Sequence, residues 1–404
     1  MVKRVVSDLA CFGGKALFHS VKPIGQLSLP NIERFYEISL EILTSRRFTN
    51  NGPVVHELEQ RLCQTHAVEH CITFANASVA IISVLDTLAK HKSGEVIMPA
   101  FTYIGLPHLA KWASQTPRFC DVDPATHVID PERVNAAIGE STSCILAVHQ
   151  VNAPCNIERL QQIAKENDIP LVFDSVHAIF ASYLGKPFGS FGACEIFSLH
   201  ATKILNGFEG GYVTTNDSNL ASALRTKRNF GFTDEGHTAS IGINGKLNEV
   251  HAAMALACLD DIPSILDRNK RRVAHYADAF ANIPGIRWVA YSEVSMMPNY
   301  EFALLHLSED WPLSRNDVVR IIRIENALAR GYYEHTDQLA KYFSKDFCAH
   351  DLPVTCRLAR EFIQMPVGEL VSNDDIERLA ELFLFIYRNA SEIKRRLDQS
   401  QNVN

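Results

Sequence analysis

The sequence predicts an α/β fold with a mostly parallel mixed sheet flanked by helices, followed by a smaller α+β domain. From about residue 50 to residue 260, short strand-like segments alternate with helix-like segments, which is the pattern of βαβ units and a mostly parallel sheet. Beyond this point amphipathic helices flank weaker strands, and 404 residues are too many for one ordinary core. We therefore expect a large domain over 1–260 and a small domain over 261–404. It stays open whether residues 1–30 pack on the small domain.

The predicted elements follow one another in order. Residues 53–64 (PVVHELEQRLCQ) have helical spacing behind Pro53, and residues 71–76 (CITFAN) form a short apolar run that ends in a polar turn. The remaining elements of the large domain are a buried helix (SVAIISVLDTLAKH), a strand at 95–101 (EVIMPAF), a helix through LAKWAS, strands at 144–150 (CILAVHQ) and 170–175 (PLVFDS) separated by the helix IERLQQIAKEND, and a strand at 210–217 (GGYVTTND).

Two long segments near the end have amphipathic helical spacing. They are SRNDVVRIIRIENALARG and SNDDIERLAELFLFIYRNASEIKRRL. The second has an N-cap candidate at Ser372, with Asp375 three residues later as its capping-box partner.

Composition argues against several classes of protein. The net charge is −7 and no Lys/Arg-rich run occurs, so we expect no nucleic-acid partner. The ten cysteines are dispersed and none forms a C-x-x-C pair, which is typical of reduced thiols in a cytoplasmic protein. The N-terminus lacks a sustained apolar region and the run LFLFIY at 382–387 is too short for a bilayer, so we expect no signal peptide and no membrane segment.

Polar groups follow the predicted strands at their carboxyl ends, where open α/β sheets bind ligands. Asn76, Ala77 and Ser78 stand between a strand and a helix, so the helix N-terminus offers free N–H groups to an anion. Asp174 closes the apolar strand PLVFD, and His177 follows three residues later. A carboxylate at such a place needs a cation or hydrogen-bond donors.

A protonated ring nitrogen is one such cation. Pyridoxal phosphate (PLP) needs a lysine, an acid beside its pyridine nitrogen, a phosphate site and a ring-stacking group. Lys203 follows Asp174 by 29 residues, and Ser198 stands five residues before it. Each residue alone is a weak signal, because most lysines are surface charges and an aspartate after a strand is usually a cap or a turn residue. Small residues around Lys203 permit a tightly turned backbone; they are Ala201, Gly207, Gly210 and Gly211.

Six stretches, in this order, resemble successive motifs of the DegT/StrS family of PLP-dependent sugar aminotransferases: NASVAI, MPAFTYIG, VFDSVHAIF, FSLHATKILNGFEGG, RNFGF and GINGKLNEVHAAMALACL. The resemblance runs from about residue 25 to the end. It implies the aspartate aminotransferase-like fold, called fold type I. The N-terminal DLACFGG followed by LPNIERF resembles the VioA-like subgroup, whose members aminate C4 of dTDP-4-keto-6-deoxyglucose.

The resemblance implies a role for each matching residue. Lys203 matches the lysine that binds the cofactor covalently, and Asp174 matches the partner of the pyridine nitrogen. His177 matches a residue that contacts the ring or its 3-hydroxyl, and Ser198 matches a phosphate ligand. Tyr103 matches the aromatic residue that stacks on the ring, against the alternative of an ordinary core residue.

Further matches concern the phosphate site and a neighbouring subunit. Ala77 and Ser78 match a Gly-Thr pair that holds phosphate, and serine keeps the hydroxyl. Asn229 matches an asparagine that reaches the phosphate of the neighbouring subunit, which implies a homodimer with shared active sites; the alternative is a turn residue. Lys246 and Asn248 are candidate substrate contacts, against the alternative of a solvated loop.

Besides Ala77 and Ser78, the chain departs from the family pattern in two further places. Val176 is bulkier than the residue common in the family. The stretch 327–337 (ALARGYYEHTD) lacks a proline that the family has, so contacts from Tyr332, Tyr333 or His335 to the sugar or nucleotide stay open.

Other features suggest a metal site, a phosphate loop or a catalytic histidine that we do not assign. The cysteines and histidines of CQTHAVEHC (63–71) suggest a metal site. They are divided between the end of a helix and the start of a strand, so we expect no metal. GINGKL lacks the spacing of a phosphate loop. We interpret His149 as structural, and His200 has no assigned role.

The resemblance implies an aminotransferase that cycles its cofactor between PLP and pyridoxamine phosphate (PMP). The expected donor is L-glutamate and the expected acceptor a keto-sugar nucleotide, dTDP-4-keto-6-deoxyglucose, giving dTDP-4-amino-4,6-dideoxyglucose for O-antigen lipopolysaccharide. Lys203 is expected to move the proton between cofactor and sugar carbon. The alternatives are amination at C3, a GDP- or UDP-linked sugar, or a non-catalytic regulatory binding protein on the same scaffold. A sugar dehydratase of this fold has histidine in place of the lysine, and this chain keeps Lys203.

Overall fold

The computed structural model describes residues 3–233, 235–292, 296–333, 339, 342–343 and 351–401. Two short 3-10 helices, Val6–Asp8 and Ala10–Phe12, come first. The elements up to residue 260 are α1 (Ile32–Ser45), α2 (Pro53–His66), β1 (His70–Phe74), α3 (Ala77–Leu88), β2 (Glu95–Pro99), α4 (Gly105–Trp112), β3 (Thr116–Cys120), α5 (Pro131–Ala137), β4 (Thr142–Val148), α6 (Ile157–Glu166), β5 (Leu171–Asp174), β6 (Ser182–Tyr183), β7 (Lys186–Pro187), β8 (Cys194–Ser198), β9 (Gly211–Thr215), α7 (Ser218–Lys227) and α8 (Glu249–Asp260). The later elements are α9 (Ile262–Phe280), β10 (Ile286–Trp288), β11 (Met296–Met297), β12 (Leu304–Leu307), α10 (Arg315–Ile324), β13 (Arg330–Gly331), α11 (Pro353–Glu361), β14 (Phe362–Gln364), α12 (Asn373–Arg388) and α13 (Ala390–Gln401).

A seven-stranded sheet, formed by residues within the described part of the chain, has the order β1-β9-β8-β5-β4-β2-β3. Strands β8, β5, β4, β2 and β3 pair in parallel, whereas β9 is antiparallel to both β1 and β8. This confirms the predicted mostly parallel mixed sheet. Strand β4 is buried at every residue, and strands covered on both faces appear as continuous apolar runs. That burial explains why CILAVHQ is recognisable in the sequence.

Helices cover both faces of this sheet. On one face α1, α2, α6 and α8 pack against side chains such as Phe173 and Phe197. On the other face α3, α4 and α7 pack against Val172 and Ile196. Neighbouring strand residues thus point to opposite faces, as the period of two requires.

A second core lies around the four-stranded sheet β10-β12-β14-β13. Helix α9 connects the cores, because Ile262 belongs to the first and Phe280 to the second. The second core also contains Val6 and Phe18 from the N-terminus. The division into domains at residue 260 stays a prediction.

Two predicted helices end differently in the structure. The predicted N-cap at Ser372 and its capping-box partner Asp375 are confirmed. The long helix expected behind them is wrong, since Asn389 separates α12 from α13. The Asn389 amide donates to the carbonyl of Phe385 at 2.9 Å, so an asparagine that competes for backbone partners ends the helix. The helix expected over 314–331 stops at Ile324, and its last residues form β13.

No helix in the described part of the chain combines the length and the apolar character that a membrane crossing needs.

Candidate active site

Strands β5 and β8 end side by side near the middle of the sheet, and their last residues begin the site. The two strands pair in parallel, with Asp174 opposite Ile196, and β8 ends at Ser198 two residues later. Parallel strands end at the same edge of a sheet, so Asp174 and Ser198 share the edge at which such sheets bind ligands. Burial raises the pKa of Asp174, while the Val176 N–H, 3.1 Å from Oδ1, opposes this shift.

The loop between β8 and β9 presents Lys203 to this edge. A tight turn, in which the Lys203 N–H donates to the carbonyl of His200 at 2.8 Å, directs the lysine inward. Its Nζ lies 3.9 Å from Oε1 of Glu301 and 5.5 Å from the ring centroid of Phe302. Burial lowers the pKa of Lys203, and the charge of Arg330 adds to this, whereas Glu301 and Asp174 oppose it. A lysine with a lowered pKa is neutral more often, and only the neutral amine can act as nucleophile or base.

The N-terminus of α3 faces the start of β9. Asn76 caps the helix, because its Oδ1 accepts the Val79 N–H at 2.9 Å. The N–H groups of Ala77 and Ser78 belong to the first turn, which has no partners within the helix. This arrangement is suited to an anion, since the N–H groups and the helix dipole act together.

Gly211 brings this helix terminus and β8 together. It pairs with Ser198 across the sheet. A Cβ at Gly211 would lie 2.4 Å from the backbone nitrogen of Ala77, so only glycine fits between strand and helix. Ser198 and the α3 N-terminus therefore lie on the two sides of one glycine.

These residues fit PLP. The helix N–H groups and the hydroxyls of Ser78 and Ser198 would donate to its phosphate, Asp174 would be the acid beside its ring nitrogen, and Lys203 would supply the partly buried amine. When bound, PLP would supply an electron-withdrawing ring that stabilises negative charge on the substrate carbon that carries the amino group.

Glu301 is a site residue that the sequence analysis missed. Its carboxylate is fully buried and its Oε2 lies 2.8 Å from Nδ1 of His177, the predicted ring contact. One signal was available, because Glu301 is a lone acid at the start of the apolar stretch EFALLHL at 301–307. A buried acid without a sequence neighbour of opposite charge needs a partner from elsewhere in the fold.

The tyrosines of the 327–337 stretch also come to this region. The hydroxyls of Tyr332 and Tyr333 lie 3.0 and 3.3 Å from Oε1 of Gln150, which follows β4. They lie 2.9 Å from each other, and burial raises the pKa of both. Both phenols therefore remain hydrogen-bond donors at neutral pH. His335 lies outside the described residues.

Three predicted residues lie at the edge of the site or form contacts of their own. Tyr103 follows β2 and is 62% exposed, so it is a surface aromatic and not a core residue. Nζ of Lys246 donates to Oδ1 of Asn229 at 2.9 Å and lies 4.9 Å from the ring centroid of Phe230. The roles of these residues toward ring, phosphate and substrate stay predictions.

Asn248 is engaged by its own helix. Its Oδ1 accepts the His251 N–H at 2.9 Å and caps α8. The predicted substrate contact would have to use its amide nitrogen, and it stays a prediction.

The histidines with no predicted chemistry have structural surroundings. His149 is buried, stacks on Phe173 with 4.8 Å between ring centroids, and burial lowers its pKa to about 3. His66, from the metal-like stretch, is buried between the carbonyl of Phe188 and the hydroxyl of Tyr212. Nδ1 of His200 lies 2.8 Å from the hydroxyl of Thr202 within the lysine loop.

Comparisons with known proteins identify relatives of this chain. A family model described as the DegT/DnrJ/EryC1/StrS aminotransferase family matches residues 31–383. Two similar proteins are both named dTDP-4-amino-4,6-dideoxy-D-glucose transaminase. The one from Escherichia coli is 28% identical over 365 residues, which cover 90% of this chain and 98% of that protein. The one from Shigella dysenteriae is 31% identical over 314 residues, which cover 77% and 85%.

Solved structures show the same fold. A structure of DesI determined in the presence of its TDP-sugar product has a TM-score of 0.90 and 34% identity, covering 98% of this chain and 100% of DesI. The PLP form of the putative sugar aminotransferase Spr1654 from Streptococcus pneumoniae has a TM-score of 0.83 and 23% identity, with 91% and 99% covered, and supports the fold alone. Lys203, Asp174 and the α3 N-terminus beside Gly211 thus lie in a fold that these proteins share. The chain belongs to the DegT/DnrJ/EryC1/StrS aminotransferase family, as a PLP-dependent aminotransferase of fold type I.

Proposed function

We propose that the protein transfers an amino group from L-glutamate to C4 of a nucleotide-linked 4-keto-6-deoxy sugar. The acceptor is dTDP-4-keto-6-deoxyglucose and the product dTDP-4-amino-4,6-dideoxyglucose. The observation that carries the amino-transfer part is the partly buried amine of Lys203, whose pKa is lowered by burial, at the sheet edge that also holds Asp174. The choice of sugar is supported by the names of the two similar transaminases and by the TDP-sugar ligand of DesI.

Each residue has a defined task in this reaction. The amine of Lys203 takes a proton from the amino donor and later returns one to the sugar carbon, as a general acid–base. The carboxylate of Asp174 favours a protonated ring nitrogen opposite it. The hydroxyls of Ser78 and Ser198 and the α3 N–H groups hold the phosphate and fix the position of the cofactor.

The dimer is part of the proposal and rests on an exposed apolar stripe. Helix α1 carries Ile32, Tyr36, Leu40 and Leu43 on its surface, each 45% exposed or more. Their spacing of four, four and three residues places them on one helix face. Solvent-exposed apolar stripes of this kind mark interaction sites. We infer that this stripe packs against a second copy, and that Asn229 serves the partner's phosphate site.

The cellular setting follows from the same proposal. The nine cysteines of the described residues are all free thiols, which supports a reducing cytoplasm. An amino-sugar nucleotide made there would serve O-antigen or a related lipopolysaccharide glycan.

The experiment is a panel of keto-sugar nucleotides, each incubated with the PLP-loaded enzyme and L-glutamate. We expect the mass of the amino product from dTDP-4-keto-6-deoxyglucose, with NMR placing the amino group on C4. Formation of product only from a 3-keto sugar, or only from a GDP- or UDP-linked sugar, would replace the proposed acceptor. No product from any keto sugar would contradict amino transfer to sugars and favour a non-catalytic binding protein.

A further inference from the structure

Glu301 connects His177 with Lys203. Its Oε2 lies 2.8 Å from Nδ1 of His177, and its Oε1 lies 3.9 Å from Nζ of Lys203. Within the described residues, this Oε1 is buried and has no hydrogen-bond partner. A fully buried carboxylate costs several kcal/mol unless opposite charges or donors compensate it. Lys203 and His177 are therefore the groups that stabilise the charge of Glu301.

The backbone of Glu301 is held in place from the His177 segment itself. Its N–H donates to Oδ1 of Asn299 at 3.1 Å. The amide nitrogen of Asn299 donates to the carbonyls of His177 and Ile179 at 3.0 and 2.8 Å. The side-chain amide of Gln26 donates to the carbonyl of Glu301. Because these bonds tie Glu301 to the chain that carries His177, the carboxylate and the imidazole keep their relative position.

The contact with Glu301 also decides which nitrogen of His177 carries its proton. An ionised carboxylate accepts hydrogen bonds and cannot donate them, so Nδ1 must donate. Burial lowers the pKa of His177, and the charge of Lys203 lowers it further, whereas Glu301 opposes both. The neutral ring with its proton on Nδ1 leaves Nε2 as an acceptor.

We propose that Glu301 is a positioning residue of the aminotransferase. One oxygen holds the free ammonium of Lys203 in place whenever the lysine is not bonded to the cofactor, and the other keeps the proton of His177 on Nδ1. The proposal rests on the assignment of Lys203 as the cofactor lysine and is independent of the identity of the sugar.

The charges around Lys203 set the direction of the test. Glu301 and Asp174 raise its pKa, and Arg330 lowers it. The phenols near Glu301 stay neutral, because burial raises the pKa of each; they are Tyr291, Tyr332 and Tyr333. Removing the charge of Glu301 leaves Asp174 as the one negative group among these neighbours. The pKa of Lys203 must then fall.

The test uses the whole chain without its cofactor, and the variant Glu301→Gln. The rate at which acetic anhydride acylates Lys203 is followed against pH, with the site resolved by mass spectrometry. We expect the midpoint of this titration to move to lower pH in Glu301→Gln. The control is Glu361→Gln, because Glu361 makes the same kind of contact with His306, 2.6 Å apart, outside the site, and it should behave as the wild type does. An unchanged midpoint in Glu301→Gln overturns the proposal.

Two further measurements separate positioning from folding. With bound PLP and L-glutamate, kcat of Glu301→Gln should fall by about 100-fold with a smaller change in KM, because the lysine is displaced from its reactive position. A wild-type kcat overturns the proposal.

If Glu301→Gln does not fold, nitrogen NMR of the wild-type protein decides between the two tautomers of His177. A proton on Nδ1 supports the proposal, and a proton on Nε2 alone contradicts it. The NMR and acylation readouts need no sugar, so their failure is distinct from failure of the proposed function.

Discussion

Gly211 touches Ala77 so closely that a Cβ on the glycine would lie 2.4 Å from the alanine nitrogen. The contact sets the distance between β9 and α3, the helix that is proposed to hold the phosphate. A methyl group has no space unless the α3 N-terminus moves.

The first prediction is that Gly211→Ala weakens cofactor binding. The overpacking costs about 1–3 kcal/mol of folding stability. Because it also moves the N–H groups of the helix terminus away from the phosphate position, we expect the dissociation constant of PLP to rise by about tenfold or more. Absorbance titration of the cofactor-free protein with PLP measures this. Gly139→Ala is the matched control, because a Cβ there meets nothing within 4 Å. Equal PLP affinity in both variants would argue against a phosphate site at this helix.

The second prediction concerns the amine itself. Lys203→Ala should lower the rate of amino transfer by about 10²- to 10⁴-fold, since the group that moves the proton is lost, while part of the cofactor binding remains. Initial rates with L-glutamate and the retained PLP absorbance report on the two effects separately. The control is Lys186→Ala, which removes an exposed lysine and should leave the rate unchanged. A wild-type rate for Lys203→Ala would mean that another residue holds the cofactor.

The third prediction is a pH dependence of stability that originates at Glu195. This carboxylate is fully buried, and burial raises its pKa from 4.5 to about 7. Between these values the folded protein binds the proton and the unfolded chain does not, so stability falls as the pH rises from 4.5 through 7. The full shift corresponds to about 3 kcal/mol.

Glu195→Gln removes this titration and keeps the hydrogen bonds. Its Oε1 can accept the N–H groups of Gly189 and Phe191, and its amide can donate to the Ser175 hydroxyl, which contacts Oε2 in the wild type. Urea unfolding at a series of pH values should show a stability gain for Glu195→Gln that grows from pH 4.5 and levels off above pH 7. Parallel stability curves for the two proteins would contradict the assignment.

The fourth prediction concerns the ion pair beneath the Asn229 loop. Nη1 of Arg228 lies 2.6 Å from Oε1 of Glu59 and 2.7 Å from the carbonyl of Thr73, all buried. Arg228→Ala should cost about 3–5 kcal/mol in urea unfolding, because Glu59 becomes an uncompensated buried charge. The double variant Glu59→Gln/Arg228→Met should recover much of that loss. If the double variant is as unstable as Arg228→Ala, the charge of Glu59 is not the cause.

An exposed ion pair provides the comparison for this prediction. Arg271 and Asp267 lie 2.9 Å apart, with side chains 72% and 64% exposed. Arg271→Ala should cost less than about 1 kcal/mol.

The fifth prediction tests the proposed dimer. Leu40→Asp places a charge in the middle of the apolar stripe on α1, and burying it against a second copy is unfavourable. We expect the dimer dissociation constant to rise by about tenfold or more in analytical ultracentrifugation. Glu41→Ala, on the same helix and exposed, should leave it unchanged. A dimer of equal strength in Leu40→Asp would place the interface elsewhere.

Sequence reasoning predicted those parts of the fold that depend on local pattern. Strands β4 and β5 are covered on both faces, so their apolar runs are unbroken, and Asn76 caps the helix that follows β1. The end of α12 was missed, because the amphipathic period continues through Asn389 and the break depends on one side-chain hydrogen bond.

The site could be predicted only in part. Lys203 and Asp174 were predicted because their surroundings match family motifs, whereas no single residue in the loop is diagnostic, and their roles toward the cofactor stay predictions. Glu301 could not be placed, since its partner His177 is 124 residues away in the chain and the contact exists only after the second core has formed. The Gly211–Ala77 contact likewise depends on how a strand and a distant helix meet.

A buried acid at the end of α10, Glu325, binds several residues of the N-terminal segment. Glu325 accepts the N–H groups of Ala10 and Leu17 at 2.8 and 2.6 Å and lies 2.8 Å from Nζ of Lys3. A chain is synthesised from the N-terminal side, so Ala10 and Leu17 are made more than three hundred residues before their partner Glu325. Val6, Leu9 and Phe18 belong to the second core, in which all other buried members except Leu17 come from Tyr276 onward, so these apolar side chains stay uncovered until that part of the chain has been synthesised.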